Sequence, residues 1–285
     1  MKYQWKEKVM HALFAISAGM CIVAVLLICV FLFANGLPFF EKVNVFEFLS
    51  GTKWKPSNEI FGLFPMILAS IYVTGGALLI GAPLGIGCAI YLARFCPKRL
   101  YRILQPAIAL LAGIPSVVYG FFGLMVLVPF VRETFGGNGN SLLTASILLA
   151  IMILPTIIQV AQAALRTVSE SYYQGSLALG ATSESSTMRV ILPAAKSGIL
   201  AALVLGIGRA IGETMAVMMV AGNQARMPAG ILKGVRTLTT NIVMEMGYAA
   251  DLHREALIAT GVVLFVFILL INLLFSILNR RSSQS

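Results

Sequence analysis

The sequence predicts an all-α, polytopic membrane protein with about six transmembrane helices. Three observations carry that prediction. The chain is 59% hydrophobic and only 11% charged, against roughly 25% charge in an ordinary soluble domain. Apolar windows recur at close to the ~20 residues that a helix needs to cross about 30 Å of hydrocarbon. Lysine and arginine crowd into alternate connections between those windows, which is the charge bias of an oriented membrane protein.

The expected spans, in order, are Ala12–Ala34, Phe64–Leu92, Gln105–Phe130, Ser141–Ala164, Ile199–Ala221 and Ala256–Leu278. The first follows a basic stretch, as a signal peptide would. Its apolar run of about 23 residues exceeds the usual ~7–15, and no small-x-small cleavage site follows, so it reads as a retained helix. Pro83, Pro115 and Pro155 fall inside spans. They predict kinks whose freed backbone groups are satisfied by packed neighbours. The spans divide the chain into an N-terminal stretch over 1–11, a first helix over 12–34, an external loop over 35–62 and a transmembrane core over 63–278. Within the core lies a loop over 166–197, and a tail follows over 279–285.

Orientation follows from the charges. With the N-terminus in the cytoplasm, the cytoplasmic pieces hold twelve Lys and Arg against three acids, and the opposite side holds eight against seven. Both termini are therefore expected in the cytoplasm. The net charge of +10 is mostly this orientation signal. Basic residues scattered over short loops give no support to nucleic-acid binding.

Composition also narrows the chemistry. The two histidines, His11 and His253, form no H-E-x-x-H, and no nucleophile–base constellation can be assembled, so an enzyme is not expected. No G-x-x-x-x-G-K-[ST] loop is present, so the chain is not expected to bind ATP in that way. Cys21, Cys29 and Cys88 lie in spans and Cys96 in a loop, a pattern with neither a disulfide framework nor a metal site. No cofactor is expected.

The connections differ in information. Residues 35–62 are polar, aromatic and turn-rich, and read equally as a small ordered cap or a solvated loop. Val131–Asn140 ends in GGNGN, a tight turn. Gly222–Glu255 contains RTLTTNIVMEMG, which either lies along the surface or dips back into the protein. Its Arg236 and Glu245 read as lining of an outer mouth, a contact for an external protein, or a solvated face. The segment Arg166–Ser197 says most. A helix is expected to about Leu179, Gly180 stops it, Thr182 caps a second short helix, and Pro193 precedes the next span. Such a helix–turn–helix knob is more than a plain connector needs, and predicts docking to a cytoplasmic partner.

One span carries charge. GIGRAIGETMAVMMVAG places Arg209 about ten residues into the Ile199–Ala221 window, roughly 15 Å deep at 1.5 Å per residue. A charge there costs at least about 2.5–3.5 kcal/mol. One reading is an internal i,i+4 pair with Glu213 on one helix face. The other is that the face lines an anion path. Intramembrane ionisable groups usually face a cavity, and a guanidinium offers parallel hydrogen bonds to an oxyanion. Gly208 and Gly212 beside the pair, like Gly81 and Gly85 in the second span, predict close helix approach. Gly113, Pro115 and Ser116 predict a kink, or an interruption that bares backbone donors to an anion.

The knob also carries a resemblance. It is similar to the coupling loop of ABC importer permeases, written EAA, three residues, Gly, nine residues, I-x-L-P. Gly180 and Pro193 hold matching places, with Val190 and Leu192 between; Gln174, Gly175 and Ser176 replace the EAA triplet and remove its acid. SGTKWKP (50–56), GIPSVVYGFFGL (113–124) and GRAIGETMAV (208–217) resemble phosphate-specific permeases, and the chain is identified as a member of their C-type, PstC, family. The resemblance implies a type I ABC importer architecture, with this chain as half of an anion path. It implies a second, A-type permease, an ATPase dimer on the cytoplasmic loops and an external phosphate-binding protein delivering inorganic phosphate. It places Arg209 and Glu213 on the substrate path, and coupling by alternating access. Another oxyanion, such as sulfate or molybdate, and a phosphate-sensing scaffold are the alternatives.

Overall fold

The longest apolar runs become the longest helices. α1 spans Lys2–Gly36, α4 Phe64–Ile90, α8 Leu142–Thr167 and α15 Asp251–Ser282. The structure, a computed structural model, describes residues 2–282, and side chains for 6–7 and 9–277. Met1, residues 283–285 of the expected tail, and the side chains of Lys2, Lys8, Arg280 and Arg281 lie outside the described residues. Among the described residues five helices are long and apolar enough to cross a membrane. A sixth candidate is a pair, 183–194 and 196–212, bent by 70°.

α8 is the most deeply buried of the membrane-length helices. Leu148, Leu149, Ile153, Ile157 and Leu165 are all buried. α4 lies against it through glycines. A Cβ on Gly81 would meet Ile153 at 3.1 Å, and one on Gly85 would meet Ile157 at 2.8 Å. Gly81 and Gly85 therefore sit at a close helix contact. Gly208 and Gly212 do not, since nothing lies within 4 Å of either position. The close approach of α12 (Lys196–Gly212) to α8 instead uses Gly198 against Ala164 and Gly206 against Ile157. The correction has a simple cause: these residues lie on the α8-facing side of α12, and Gly208 and Gly212 do not.

Two expected spans are broken. α5 (Lys98–Gly113) ends before Pro115, and α6 (Ser116–Phe122) begins after it. The long apolar unit is Ser116–Phe135, which closes with α7 (Val128–Phe135), so the expected span Gln105–Phe130 is displaced. Pro115 holds an extended ψ of 142°, which ends one helix and starts the next. α5 packs through Ile108, which shares a buried cluster with Leu92 and Ile158. The expected span Ile199–Ala221 is also divided: α12 stops at Gly212, Glu213 is extended, and α13 runs Met215–Val220.

At one end of the bundle, residues 35–62 form an ordered cap. α2 (Phe39–Lys42), α3 (Val45–Ser50) and the antiparallel strands β1 (Trp54–Lys55) and β2 (Ile60–Phe61) surround an aromatic cluster. Phe39, Phe48, Trp54 and Phe61 are buried together with Leu238 and Leu257. Asn44 starts α3 by accepting from Phe46 N–H at 2.8 Å. α1 joins the bundle along α15, where Phe33 meets Phe265 edge-on at 5.8 Å. Its remaining apolar surface is exposed, as expected of a helix facing lipid.

At the other end lies the knob: α9 (Glu170–Ala178), α10 (Ser183–Ser186), a π-helical turn over Thr187–Ile191 and α11 (Leu192–Ala194). Gly180 has φ +86°. Its N–H donates to Leu177 O, and Ala181 N–H to Ser176 O, the paired bonds of a Schellman motif. Thr182 then caps α10, accepting from Ser185 N–H at 3.2 Å.

Candidate functional site

Arg209 sits in the last turn of α12, half-buried. Its Nη1 donates to Thr156 Oγ1 at 3.2 Å. Thr156 stands near the middle of the 26-residue α8, so the guanidinium lies at mid-bundle depth. An arginine has five N–H donors, and the threonine takes one of them.

Of the two readings of the charged span, the internal Arg209–Glu213 pair does not form. Among the described residues no carboxylate lies within ion-pair distance of Arg209. An i,i+4 pair needs a continuous helix, and the helix ends between the two residues. Glu213 instead turns its carboxylate to the start of α13, accepting from Ala216 N–H at 3.1 Å. Its carbonyl accepts from Thr239 Oγ1 at 3.1 Å. The break at Glu213 is thus held from both sides.

Thr239 reaches the break because the 222–255 segment dips inward. α14 (Leu238–Met246) starts with a capping box formed by Thr237 and Thr240. Leu238 N–H donates to Ser70 Oγ on α4 at 3.0 Å, and Thr240 and Asn241 are fully buried. The helix that follows the Gly113–Ser116 interruption approaches the same place: Tyr119, Ala210 and Ala216 share one buried cluster. Tyr119 donates its hydroxyl hydrogen to Leu111 O at 2.9 Å, tying α6 back across the Gly113–Ser116 interruption.

Arg236 and Glu245, read as an outer mouth, a contact for an external protein or a solvated face, are turned onto each other and away from solvent. Arg236 Nη1 donates to Glu245 Oε1 at 2.6 Å, with the side chains only 14% and 8% exposed. Glu245 Oε2 also accepts from Trp54 Nε1 at 2.8 Å and lies 2.9 Å from His253 Nε2. The carboxylate joins the cap, α14 and α15. Removing it leaves several buried donors unpaired, which is costly in a dry site. Glu245→Leu is therefore expected to destabilise the protein by about 3–5 kcal/mol. A lowered thermal midpoint in detergent is the check, and an unchanged midpoint counts against the network.

In the knob, Gln174 lies one turn from Glu170, its Nε2 3.4 Å from Glu170 Oε1. Gly175 is unobstructed. Ser176 accepts from Ser186 at 2.9 Å, holding α9 to α10. Pro193 lies exposed at the bend between α11 and α12. The knob is fastened to the bundle by Arg94, which donates to Glu170 at 2.9 Å and places its guanidinium 5.2 Å from the Tyr173 ring centre. Arg166 likewise binds Tyr101 and the carbonyl of Leu92. Sequence reading counted both arginines only as orientation charge. It missed Thr156, Thr239 and Glu170 entirely, since nothing local distinguishes them.

A membrane-spanning helical bundle with a fastened knob at one end and a lone guanidinium at mid-depth has the build of a transporter's membrane subunit. The fold agrees. It is similar to a chain of the MetNI methionine ABC transporter in inward-facing crystals, with TM-score 0.64, 20% identity, and 81% and 99% of the two chains covered. It is similar also to a chain of a bacterial alginate ABC transporter, with TM-score 0.61, 18% identity, and 93% and 96% covered. These place it among type I ABC importer permeases by architecture.

Residues 81–284 match the family of binding-protein-dependent transport system inner membrane components. A probable ABC transporter permease of Bacillus subtilis, YqgH, is 42% identical over 90% of this chain and 86% of its own. The phosphate transport system permease protein PstC of Mesorhizobium japonicum is 34% identical over 95% and 89%, and that of Haemophilus influenzae 32% over 96% and 92%. The chain belongs to the binding-protein-dependent inner membrane permeases, in the PstC branch.

Proposed function

We propose that this chain is one of two permease subunits of an ATP-driven phosphate importer. A second, A-type permease completes the anion path. Two ATPase subunits bind the knob end, and an external phosphate-binding protein docks at the cap end. Both termini are then cytoplasmic, as the basic bias of that side requires. The phosphate assignment draws on the PstC relatives, which are phosphate transport permeases by name.

The observation that carries the reading is the state of Arg209. A cation at mid-depth without a carboxylate partner is costly. Its planar fork suits an oxyanion, and a passing anion offsets the cost transiently. Thr156 holds the guanidinium in place. Glu213, committed to Ala216 N–H, leaves that charge available while adding a negative potential nearby. That potential favours release, and conduction needs weak enough binding to let the ion leave. The interruption at Gly113, Pro115 and Ser116 forms a second wall of the path. Arg236 and Glu245 stiffen the cap end.

The knob supports coupling. Its turn exposes Leu179 (92% exposed), with Tyr172 and Met188 also open, an apolar set suited to a protein partner. ATP binding closes the ATPase pair and draws on the Gln174–Pro193 knob. Arg94–Glu170 passes that movement to the end of α4, and α12 follows through the bend at Pro193. Leu179→Asp is expected to reduce transport-coupled ATP hydrolysis by about tenfold or more, the scale of a lost interface anchor. Activity at the native level would remove Leu179 from the docking surface.

The reading is tested by labelled-phosphate uptake into vesicles holding the complete complex, with sulfate and molybdate as competitors. Uptake resisted by neither competitor is expected. If sulfate or molybdate displaces phosphate fully, the chain serves another oxyanion. The isolated chain is expected to hydrolyse no ATP.

A further inference from the structure

We infer that Thr239 is a positioning residue for the anion path: its hydroxyl pins the break between α12 and α13 and so keeps Glu213 from pairing with Arg209. The inference rests on the phosphate reading above and adds what holds the arginine free and what releases the anion.

The break has no cause in its own run of sequence. Sharp helix breaks come from proline or from a side chain inserted into the hydrogen-bond ladder. No proline lies between Pro193 and Pro228. Yet Glu213 is extended, at φ −70° and ψ 129°, and Thr214 follows at φ −120° and ψ −58°. The end of α12 tightens, with Glu213 N–H donating to Ala210 O at 3.4 Å. On a continuous helix Glu213 O would accept from the N–H four residues on, that of Val217. At the break it accepts from Thr239 Oγ1 at 3.1 Å. The inserted side chain is therefore that of Thr239, and it satisfies a carbonyl freed at membrane depth.

The hydroxyl is aimed by its own helix. Thr237 and Thr240 close the capping box of α14, and Thr237 Oγ1 lies 3.1 Å from Thr239 Oγ1. Leu238, between them, donates its N–H to Ser70 Oγ on α4 at 3.0 Å. Three successive residues thus fix the hydroxyl against α4 and the break. Thr239 is only 7% exposed, which leaves little room for water to take its place.

The break decides the state of the arginine. While it persists, the Glu213 carboxylate accepts from Ala216 N–H at 3.1 Å and Arg209 has no carboxylate partner among the described residues. If α12 ran on into α13, Ala216 N–H would turn to Gly212 O, and Arg209 and Glu213 would stand one turn apart on one face. The freed carboxylate would then meet the guanidinium and displace a bound oxyanion. Thr239 holds the broken, anion-accepting form.

Thr239→Val keeps the volume and removes the hydroxyl; Thr239→Ser keeps the hydroxyl. In vesicles holding the complete complex, Thr239→Val is expected to lower labelled-phosphate uptake about 3–10-fold, the scale of one hydrogen bond, and Thr239→Ser to restore most of it. In a Glu213→Gln background, where the amide oxygen can still cap α13 but no anion can pair with Arg209, the valine change should have little further effect. Spin labels at Leu205→Cys and Met215→Cys, both exposed positions flanking the break, read it directly once Cys21, Cys29, Cys88 and Cys96 are replaced by serine. Thr239→Val should shift the labels toward the separation of a continuous helix, about 15 Å. Native uptake in the valine variant, a serine variant as weak as valine, a loss undiminished by Glu213→Gln, or an unmoved label distance overturns the inference. So does a valine variant that no longer co-purifies with the complex, since Thr239 is then a folding residue. If Glu213→Gln alone silences uptake, the label distance decides. If the native complex imports no phosphate, the importer reading falls, while the labels still report whether Thr239 holds the break.

Discussion

Arg209→Gln is expected to lower phosphate uptake by about 10–100-fold while the complex still assembles. The range follows from losing one charge-assisted hydrogen bond, about 1.5–3 kcal/mol. Glutamine keeps much of the length and can still meet Thr156, so the α8–α12 contact persists. That contact depends on Gly198 against Ala164 and Gly206 against Ile157, not on the charge. Removing an unpaired charge from mid-bundle lowers the cost of insertion, so assembly and thermal stability should hold or rise. This opposite movement of stability and transport marks a functional charge. A structural ion pair behaves differently, because breaking it strands the partner and lowers stability. Arg209→Lys keeps the charge and loses the fork, and should fall between the two. Labelled-phosphate uptake, with assembly checked by co-purification, decides the matter. Native uptake in Arg209→Gln vesicles would move the path to the interruption at Gly113–Ser116.

Gly180→Pro is expected to uncouple ATP hydrolysis from transport without preventing insertion. Gly180 holds φ +86°, whereas proline is confined near −65°. The change also deletes the N–H that Gly180 donates to Leu177 O at 2.9 Å. The Schellman turn cannot form, and α9 and α10 lose their mutual angle. The Ser176–Ser186 and Tyr173–Ser183 contacts across that angle, at 2.9 and 2.7 Å, are then released. Insertion depends on the apolar spans, which the substitution does not touch. Reconstituted vesicles should hydrolyse ATP with uptake reduced about tenfold or more, the scale of a lost interface anchor. Gly180→Ala retains the N–H and pays only the left-handed penalty of roughly 1–2 kcal/mol, so its defect should be milder. Normal coupling in the proline variant would remove the knob from the transmission path.

Local features were legible where the chain itself sets them. The turn at Gly180 and the cap at Thr182 were readable because a helix stop and an N-cap involve residues two or three apart. The spans Phe64–Leu92 and Ser141–Ala164 were readable because bilayer thickness imposes a length on any apolar helix. The cap over 35–62 was only half legible: its aromatics were visible, but their burial against Leu238 and Leu257 joins residues some two hundred positions apart. The candidate site was legible in its charge and left open in its partner. Arg209 stood out as a cation in an apolar run. A helical window that continues through Glu213 suggested a pair, and nothing in the run GRAIGETMAV announces that α12 stops there.

By itself the sequence determined the membrane class, the approximate number of spans, the knob with its glycine turn, and an arginine out of place in apolar surroundings. These are properties of composition, length and neighbours along the chain. The tertiary structure alone decided that Arg209 meets Thr156 and not Glu213, that Arg236 and Glu245 face inward, and that Gly198 and Gly206, not Gly208 and Gly212, carry the helix contact. Each of these is a question of direction. Which side of a helix meets a neighbour, and where an apolar run breaks to let α14 fold in, is set by the packing of segments distant in sequence, and a side chain's partner follows from that packing.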